Sequence, residues 1–274
     1  MNKTAKTQAI DGRLRRIEGR HNAIVKELRR AFALGEPNQD GYTAIEGLRI
    51  LEEAIRSGLK FKAVFFSNAG ANKAERLLPQ LASHVETLLL PNKLLASAVP
   101  SDTPQGVAAL VKIKEFNLQD VLTRASAGPI VVVAGLQDPG NLGTVLRSAE
   151  AFGAGGVIMG EGTVNHLNSK VVRASAGSVF RLAIANGKLD QVIEAMQQQG
   201  IRRAATSSHK GTSLPAANLR GPFAIFIGSE GSGISHDLMK EMDEIIAIPH
   251  SAQVESLNAG FAASIVLYEA AKQK

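Results

Sequence analysis

Three short polar clusters in the second half of the chain carry residue types able to do chemistry. Asn141 and Arg147 flank the start of an apolar helical run that includes Leu142, Val145, Leu146 and Ala149. Glu230 stands inside the glycine-rich stretch Gly228-Ser-Glu-Gly-Ser-Gly233. Ser251, Glu255, Ser256 and Asn258 crowd the approach to the last helical segment. A carboxylate between glycines has little side-chain cover and lies close to backbone N–H groups; its plainer reading is a turn residue capping the next helix. Ser256 or Asn258 can cap the last helix, and capping accounts for one of them but not for the whole run. Arg147 lies off the apolar stripe, so it points into a cleft or into solvent. Its guanidinium stays protonated, which leaves it two roles: stabilising a developing negative charge or holding a phosphate.

Several chemistries are excluded. The chain has no cysteine, so there is no thiol nucleophile, disulfide framework, Cys-liganded zinc or iron–sulfur cluster. A P-loop requires Gly-Lys-Ser/Thr, and the single Gly-Lys, at Gly187, is followed by Leu189. A dinucleotide fingerprint starting at Gly231 needs Gly or Ala where His236 stands, and one starting at Gly153 needs it where Ile158 stands. The glycines of Leu136–Gly143 and Gly228–Gly233 therefore shape tight turns or a ligand cradle of another kind. A nicotinamide-dependent oxidoreductase is disfavoured on the same ground.

The elements that must position these clusters read as an α/β pattern. Pro129-Ile-Val-Val-Val-Ala-Gly135 is continuous and β-branched, as a strand buried on both faces is. A helix over 142–152 and a strand over 155–159 follow. Helical signals recur at 169–176, 188–199, 235–242 and 257–272, and strand signals at 180–185, 201–206, 222–227 and 244–248. This alternation predicts a mostly parallel sheet covered on both faces, whose strand-end loops bind ligands. The first half reads as a smaller α/β unit. Helices are expected over 14–32, with Arg residues outward, and over 44–57; strands over 61–66, 85–90 and 106–113; further helices over 73–81 and 92–99. The join falls near 118–128. The domains so predicted are a basic N-terminal helix (1–35), an α/β domain (36–117) and the large α/β domain (128–274).

Hydrophobic residues make up 45% of the 274 positions and charged residues 20%, a globular balance. No apolar run approaches the roughly 18 residues of a membrane span. The start, MNKTAKTQ, lacks the apolar segment of a signal peptide, so a cytoplasmic protein without a membrane partner is expected. The net charge is +6, and residues 1–30 alone hold nine basic and three acidic residues. The whole excess thus sits at one end, with Arg13, Arg15, Arg16 and Arg20 at its centre. Such a segment either meets a polyanion partner, most simply nucleic acid, or is a solvated basic face.

The second half resembles the SpoU/TrmH-type RNA ribose 2′-O-methyltransferases of the SPOUT superfamily. The motifs are Asp138-Pro-Gly-Asn-Leu-Gly-Thr-Val-Leu-Arg147 running on to Gly153, Ile227-Gly-Ser-Glu-Gly-Ser-Gly-Ile234, and Ile248-Pro-His250 to Ser256-Leu-Asn258. Lys170-Val-Val-Arg-Ala-Ser-Ala-Gly177 agrees as well, and the match spans about 128–274. The first half, with Ile45-Glu-Gly-Leu48 and Thr103-Pro-Gln-Gly106, is similar to the small α/β RNA-binding domain often fused in front, itself like certain ribosomal proteins. The resemblance implies S-adenosylmethionine as cofactor, held mostly by backbone groups at Gly228, Ile248 and Leu257, in a C-terminal trefoil knot. It assigns Arg147 to the ribose hydroxyl, with Asn141, Glu230, Ser256 and Asn258 around it. It further implies a homodimer, no metal, and RNA as partner, ribosomal RNA ahead of transfer RNA. His250, Ala252, Ala259, Gly260 and Ser169 depart from the family pattern beside the catalytic positions, not on them. A non-catalytic RNA-binding or ribosome-assembly factor on the same fold is the competing reading, and a pure binder need not keep all five polar positions.

Overall fold

In the computed structural model, residues 12–208, 210–231, 233–251 and 253–273 are described. The chain forms two units: residues up to Lys114 together with Leu167–Val172, and Glu115–His166 together with Arg173–Lys274.

The first unit runs β1 (Arg15–Arg16), α1 (Ala23–Leu34), β2 (Tyr42–Glu46), α2 (Leu48–Arg56), β3 (Lys60–Ser67), α3 (Ala74–Leu77), β4 (Glu86–Leu90), α4 (Asn92–Ala96) and β5 (Val107–Lys112). Its five-stranded sheet has the order β1-β4-β3-β5-β2, with β5 antiparallel to both neighbours and the other pairs parallel.

Two expected helices are corrected here. The periodic run 14–32 splits: Arg15–Arg16 pairs in parallel with Leu88–Leu89 at the sheet edge. The helix then starts only at Asn22, whose side chain accepts from Ile24 N. Leu14 and Ile17 are buried from this strand segment, so their three-residue spacing, which reads as helical, serves a sheet edge instead. Ile17, Val25 and Leu28 pack with Phe65, Leu88 and Leu110. The described part of 1–35 is therefore built into the α/β unit and is not a separate helical domain. In the run 44–57, Ala44 and Ile45 belong to β2, antiparallel to β5. Gly47, at φ 100°, then turns the chain into α2. An L side chain rarely adopts that conformation, so the glycine ends the strand where periodicity alone continues a helix.

The chain continues with α5 (Leu118–Leu122), β6 (Ile130–Ala134), α6 (Pro139–Ala151), β7 (Gly156–Met159), α7 (Ser169–Ala174), β8 (Ile184–Asn186) and α8 (Leu189–Gln198), all in the second unit except α7, whose residues up to Val172 group with the first. It ends with β9 (Arg202–Ser207), β10 (Thr212–Ser213), β11 (Phe223–Gly228), α9 (His236–Lys240), β12 (Glu244–Ala247) and α10 (Ala259–Lys272). All seven strands are parallel, in the order β10-β12-β9-β11-β6-β7-β8. The central strands β6 and β11 are buried along nearly their whole length, as their unbroken apolar sequences require. Val121, Leu122 and Ala125 pack into this core with Ile130 and Phe226. The join therefore falls at Lys114/Glu115, ahead of the expected 118–128. Among the described residues no helix is long and apolar enough to cross a membrane.

Candidate functional site

The carboxyl ends of β6 and β11 and the N-terminus of α10 bring the three polar clusters together. After β6, Asp138 caps α6: its side chain accepts from Asn141 N at 2.7 Å, and Pro139 occupies the first helical turn. Pro there forfeits no intrahelical hydrogen bond. After β11 the chain folds back on itself, with Ser229 N to Gly233 O at 3.1 Å and Gly233 N to Ser229 O at 3.0 Å. That turn presents Glu230. Asn258 caps α10, its Oδ1 accepting from Gly260 N (2.9 Å) and Phe261 N (3.2 Å).

A chain of side-chain hydrogen bonds links all three. Asn258 Nδ2 donates to Asn141 Oδ1 at 2.7 Å, and Asn141 Nδ2 donates to Glu230 Oε1 at 3.0 Å. Glu230 also accepts from the backbone N–H of Asp138 (3.1 Å) and Gln137 (3.4 Å). Burial works against ionising Glu230. The hydrogen bonds from Asn141 and from the backbone outweigh it and hold the carboxyl below the usual glutamate value. Asn141 is thereby oriented at both ends of its amide, and Glu230 is a fixed, ionised acceptor.

Beside Glu230 lies a cavity of about 350 Å³, bounded by the loops after β9, β11 and β12 and by the start of α10. Gly228, Ile248, Ser256 and Leu257 line it, with Glu230 and Asn258 at one side. A Cβ on Gly228 would stand 2.2 Å from the carbonyl carbon of Gly233, so only glycine lets these two backbones approach. His250 also lines the cavity, and its Nδ1 is 2.7 Å from Ile248 O, which ties the ring to its own loop. A cavity of this size at the ends of parallel strands, with apolar residues such as Ile227, Ile248 and Leu257 beside polar ones such as Thr206, Ser229 and Ser256, suits a nucleoside-sized ligand.

Arg147 is not drawn into this network. It stands exposed on α6, beside the seam where α6 packs on α10. In that seam Ser148 Oγ lies 2.6 Å from Ser264 Oγ, and the rings of Phe152 and Tyr268 meet edge-on at 5.7 Å. Along α10, Phe261, Ile265 and Tyr268 are 63%, 39% and 53% exposed, an apolar stripe at i, i+4, i+7. Among the described residues no group of three or more His, Asp or Glu side chains is arranged to hold a metal.

The four expected RNA-binding arginines divide. Arg13 donates to the carbonyls of Leu78 (2.9 Å), Leu81 (3.5 Å) and Ala82 (3.4 Å), and Arg15 is ion-paired with Glu86. Both are engaged within the first unit and still exposed. Arg16 and Arg20 are exposed. Sequence reasoning missed the capping role of Asp138 and the wall formed by Thr206 and Ser207 at the end of β9. The first is signalled by Asp-Pro at a helix start. The second carries no motif and follows only from the topology of the sheet.

The SpoU rRNA methylase family model matches residues 128–268, and an MRM3-like substrate binding domain model matches residues 22–109. The 23S rRNA (guanosine(2553)-2′-O)-methyltransferase RlmP of Bacillus subtilis is 28% identical over 93% of this chain and 98% of its own length. A Synechocystis protein described as the uncharacterized tRNA/rRNA methyltransferase slr1673 is 33% identical over 94% of each chain. The AdoMet-bound rRNA methyltransferase from Sinorhizobium meliloti superposes with a TM-score of 0.81 at 26% identity, covering 95% of this chain and 98% of that one. The family motifs fall on the loops that converge around Glu230, and the likeness runs nearly end to end. The chain accordingly belongs to the SpoU rRNA methylase family and is an RNA methyltransferase.

Proposed function

We propose that this protein binds S-adenosylmethionine in the cavity at Gly228, Ile248 and Leu257 and methylates a ribose 2′-hydroxyl of ribosomal RNA, working as a homodimer. The observation that carries this reading is the Asn258–Asn141–Glu230 chain at the edge of a cavity of nucleoside size. The names of the relatives support ribosomal RNA as the substrate class. The knotted C-terminal threading belongs to the same reading and is supported by membership of the SpoU family.

When bound, the cofactor supplies an activated methyl group on a sulfonium, so the protein's task is alignment and proton removal. Good alignment lowers such a barrier by about 7–11 kcal/mol. Glu230, ionised and held from two sides, accepts the hydroxyl proton. Arg147 keeps its own proton and steadies the developing alkoxide. Ser256 lines the cavity next to Leu257 and orients the incoming ribose. The apolar stripe of α10 beside Arg147 supports a dimer in which that arginine works next to the partner's cavity.

The deciding experiment maps ribose methylation across ribosomal and transfer RNA in a deletion strain and its parent. One ribosomal nucleotide should lose its methyl group, the wild-type gene should restore it, and Arg147→Ala should not, although the purified variant still binds the cofactor. Arg147→Ala should slow transfer by at least about 10²–10³-fold, the cost of removing an oxyanion stabiliser. A loss confined to transfer RNA, or restoration by the variant, would overturn the corresponding part of this reading.

A further inference from the structure

A second cavity, of about 540 Å³, opens on the other side of the Glu230 turn. It lies at the carboxyl ends of β6 and β11. These strands are neighbours, yet the chain leaves β6 toward β7 on one side and leaves β11 toward β12 on the other. Loops diverging in this way form the crevice where open α/β sheets take ligands. Leu189, Ile234 and Leu238 give it half-buried apolar walls that rest on the core. Gln137, Glu161, Ser229, Glu230 and Ser235 supply its polar side chains, and no Lys or Arg occurs among the described residues that line it.

That lining selects its ligand. Two carboxylates without a cation repel phosphate. Apolar walls suit a flat ring, and a carboxylate accepts from N–H donors. Glu161 is set in place by Leu189 N, which donates to its Oε2 at 3.1 Å at the start of α8, and a carboxylate retains further acceptor capacity. Guanine alone among the four RNA bases offers one carboxylate two adjacent donors, N1–H and the 2-amino group. Glu230 lines both cavities, so a base in the second leaves its own ribose beside Glu230.

We propose that this second cavity receives the guanine of the nucleotide being methylated, with Glu161 accepting from N1–H and the 2-amino group and Leu189, Ile234 and Leu238 holding the ring. The proposal rests on the methyl-transfer reading above. Its test uses the full-length protein, S-adenosylmethionine and ribosomal RNA from the deletion strain, then synthetic fragments carrying guanosine or inosine at the methylated position. Inosine lacks only the 2-amino group. The wild type should methylate a guanosine, and inosine there should cut kcat/KM about tenfold or more, the usual penalty for an unmet polar group in a site built to read it. Glu161→Gln keeps an acceptor for Leu189 N. It should lower kcat/KM on guanosine by a similar factor, leave cofactor affinity and Tm unchanged, and be nearly indifferent to inosine. A wild type that transfers no methyl to RNA overturns the functional reading and this proposal with it. A methylated nucleotide other than guanosine, equal rates on guanosine and inosine, or undiminished discrimination in Glu161→Gln overturns the proposal alone.

Discussion

Glu230 shows how a single residue is prepared by its neighbours. Burial resists its charge, and hydrogen bonds restore it, first from the Asn141 amide and then from the backbone N–H groups of Glu230 itself, Asp138 and Gln137. Asn141→Ala removes the side-chain donor and leaves the backbone ones. The carboxyl's pKa, now below the ordinary glutamate value, must then rise. If the carboxylate takes the ribose proton, activity falls as pH drops through that pKa, so the acidic limb of kcat/KM should lie at higher pH in Asn141→Ala than in the wild type. An acidic limb that stays in place would show that Glu230 is not the proton acceptor. Arg203 and Asp243 make a second worked case, at the far end of the same sheet. Arg203 is only 9% exposed and donates its Nε to Asp243 Oδ2 at 3.0 Å, its Nη2 to Oδ1 at 2.6 Å and its backbone N–H to Oδ2 at 2.8 Å. The arginine's hydrogen bonds hold the Asp243 carboxyl below its usual value. A depressed folded-state pKa means that the stabilisation is complete above the unfolded pKa, near 4, and is lost as pH falls through the folded value. Asp243→Asn should cost about 2 kcal/mol at neutral pH, between a surface pair and a fully buried one. It should also flatten the pH dependence of stability below about pH 4, as measured by denaturant unfolding across pH.

At the scale of elements, α6 and α10 join chemistry to assembly. Their packing seam is polar at Ser148–Ser264 and aromatic at Phe152–Tyr268, and the outer edge of α10 is left apolar. Phe261→Asp puts a charge on that stripe at a position already 63% exposed, so the protomer should fold with little change in Tm. Sedimentation velocity should show a shift from dimer to monomer, with methyl transfer lost alongside; a fully active monomer would refute the dimeric reading. The same elements explain what could be read in advance. The strands β6 and β11 announce themselves as unbroken apolar runs, and Glu230 stands out because glycines bracket it. The hydrogen-bond chain is illegible, since Asn141 is 89 residues from Glu230 and 117 from Asn258 and no local pattern records such pairs. The misread helices fail for the same reason. Arg15 takes its strand partner at Leu88, and Ala44 at Leu110, both far along the chain, so helical spacing is overruled by distant pairing.

The molecule as a whole carries its excess charge at one end: residues 1–30 hold +6 of a net +6. The fold redistributes that charge. Arg13 and Arg15 serve carbonyls and Glu86, and Arg29 donates to Ser97 O at 3.2 Å. Arg16, Arg20, Lys26 and Arg30 are exposed. Removing residues 1–30 would also remove Leu14, Ile17, Val25 and Leu28 from the core and unfold the first unit, so that truncation cannot report on charge. Substituting Arg16, Arg20, Lys26 and Arg30 by Gln leaves the core untouched. If all four meet phosphates, the slope of log K against log salt for single-stranded ribosomal RNA fragments should shallow by about 0.7 per contact, nearly three in all. Affinity at low salt should fall, while cofactor binding by calorimetry and Tm stay unchanged, because these residues belong to the first unit and the cofactor cavity to the second. An unaltered slope would show that this cationic surface faces only solvent, and that RNA is held by other parts of the chain.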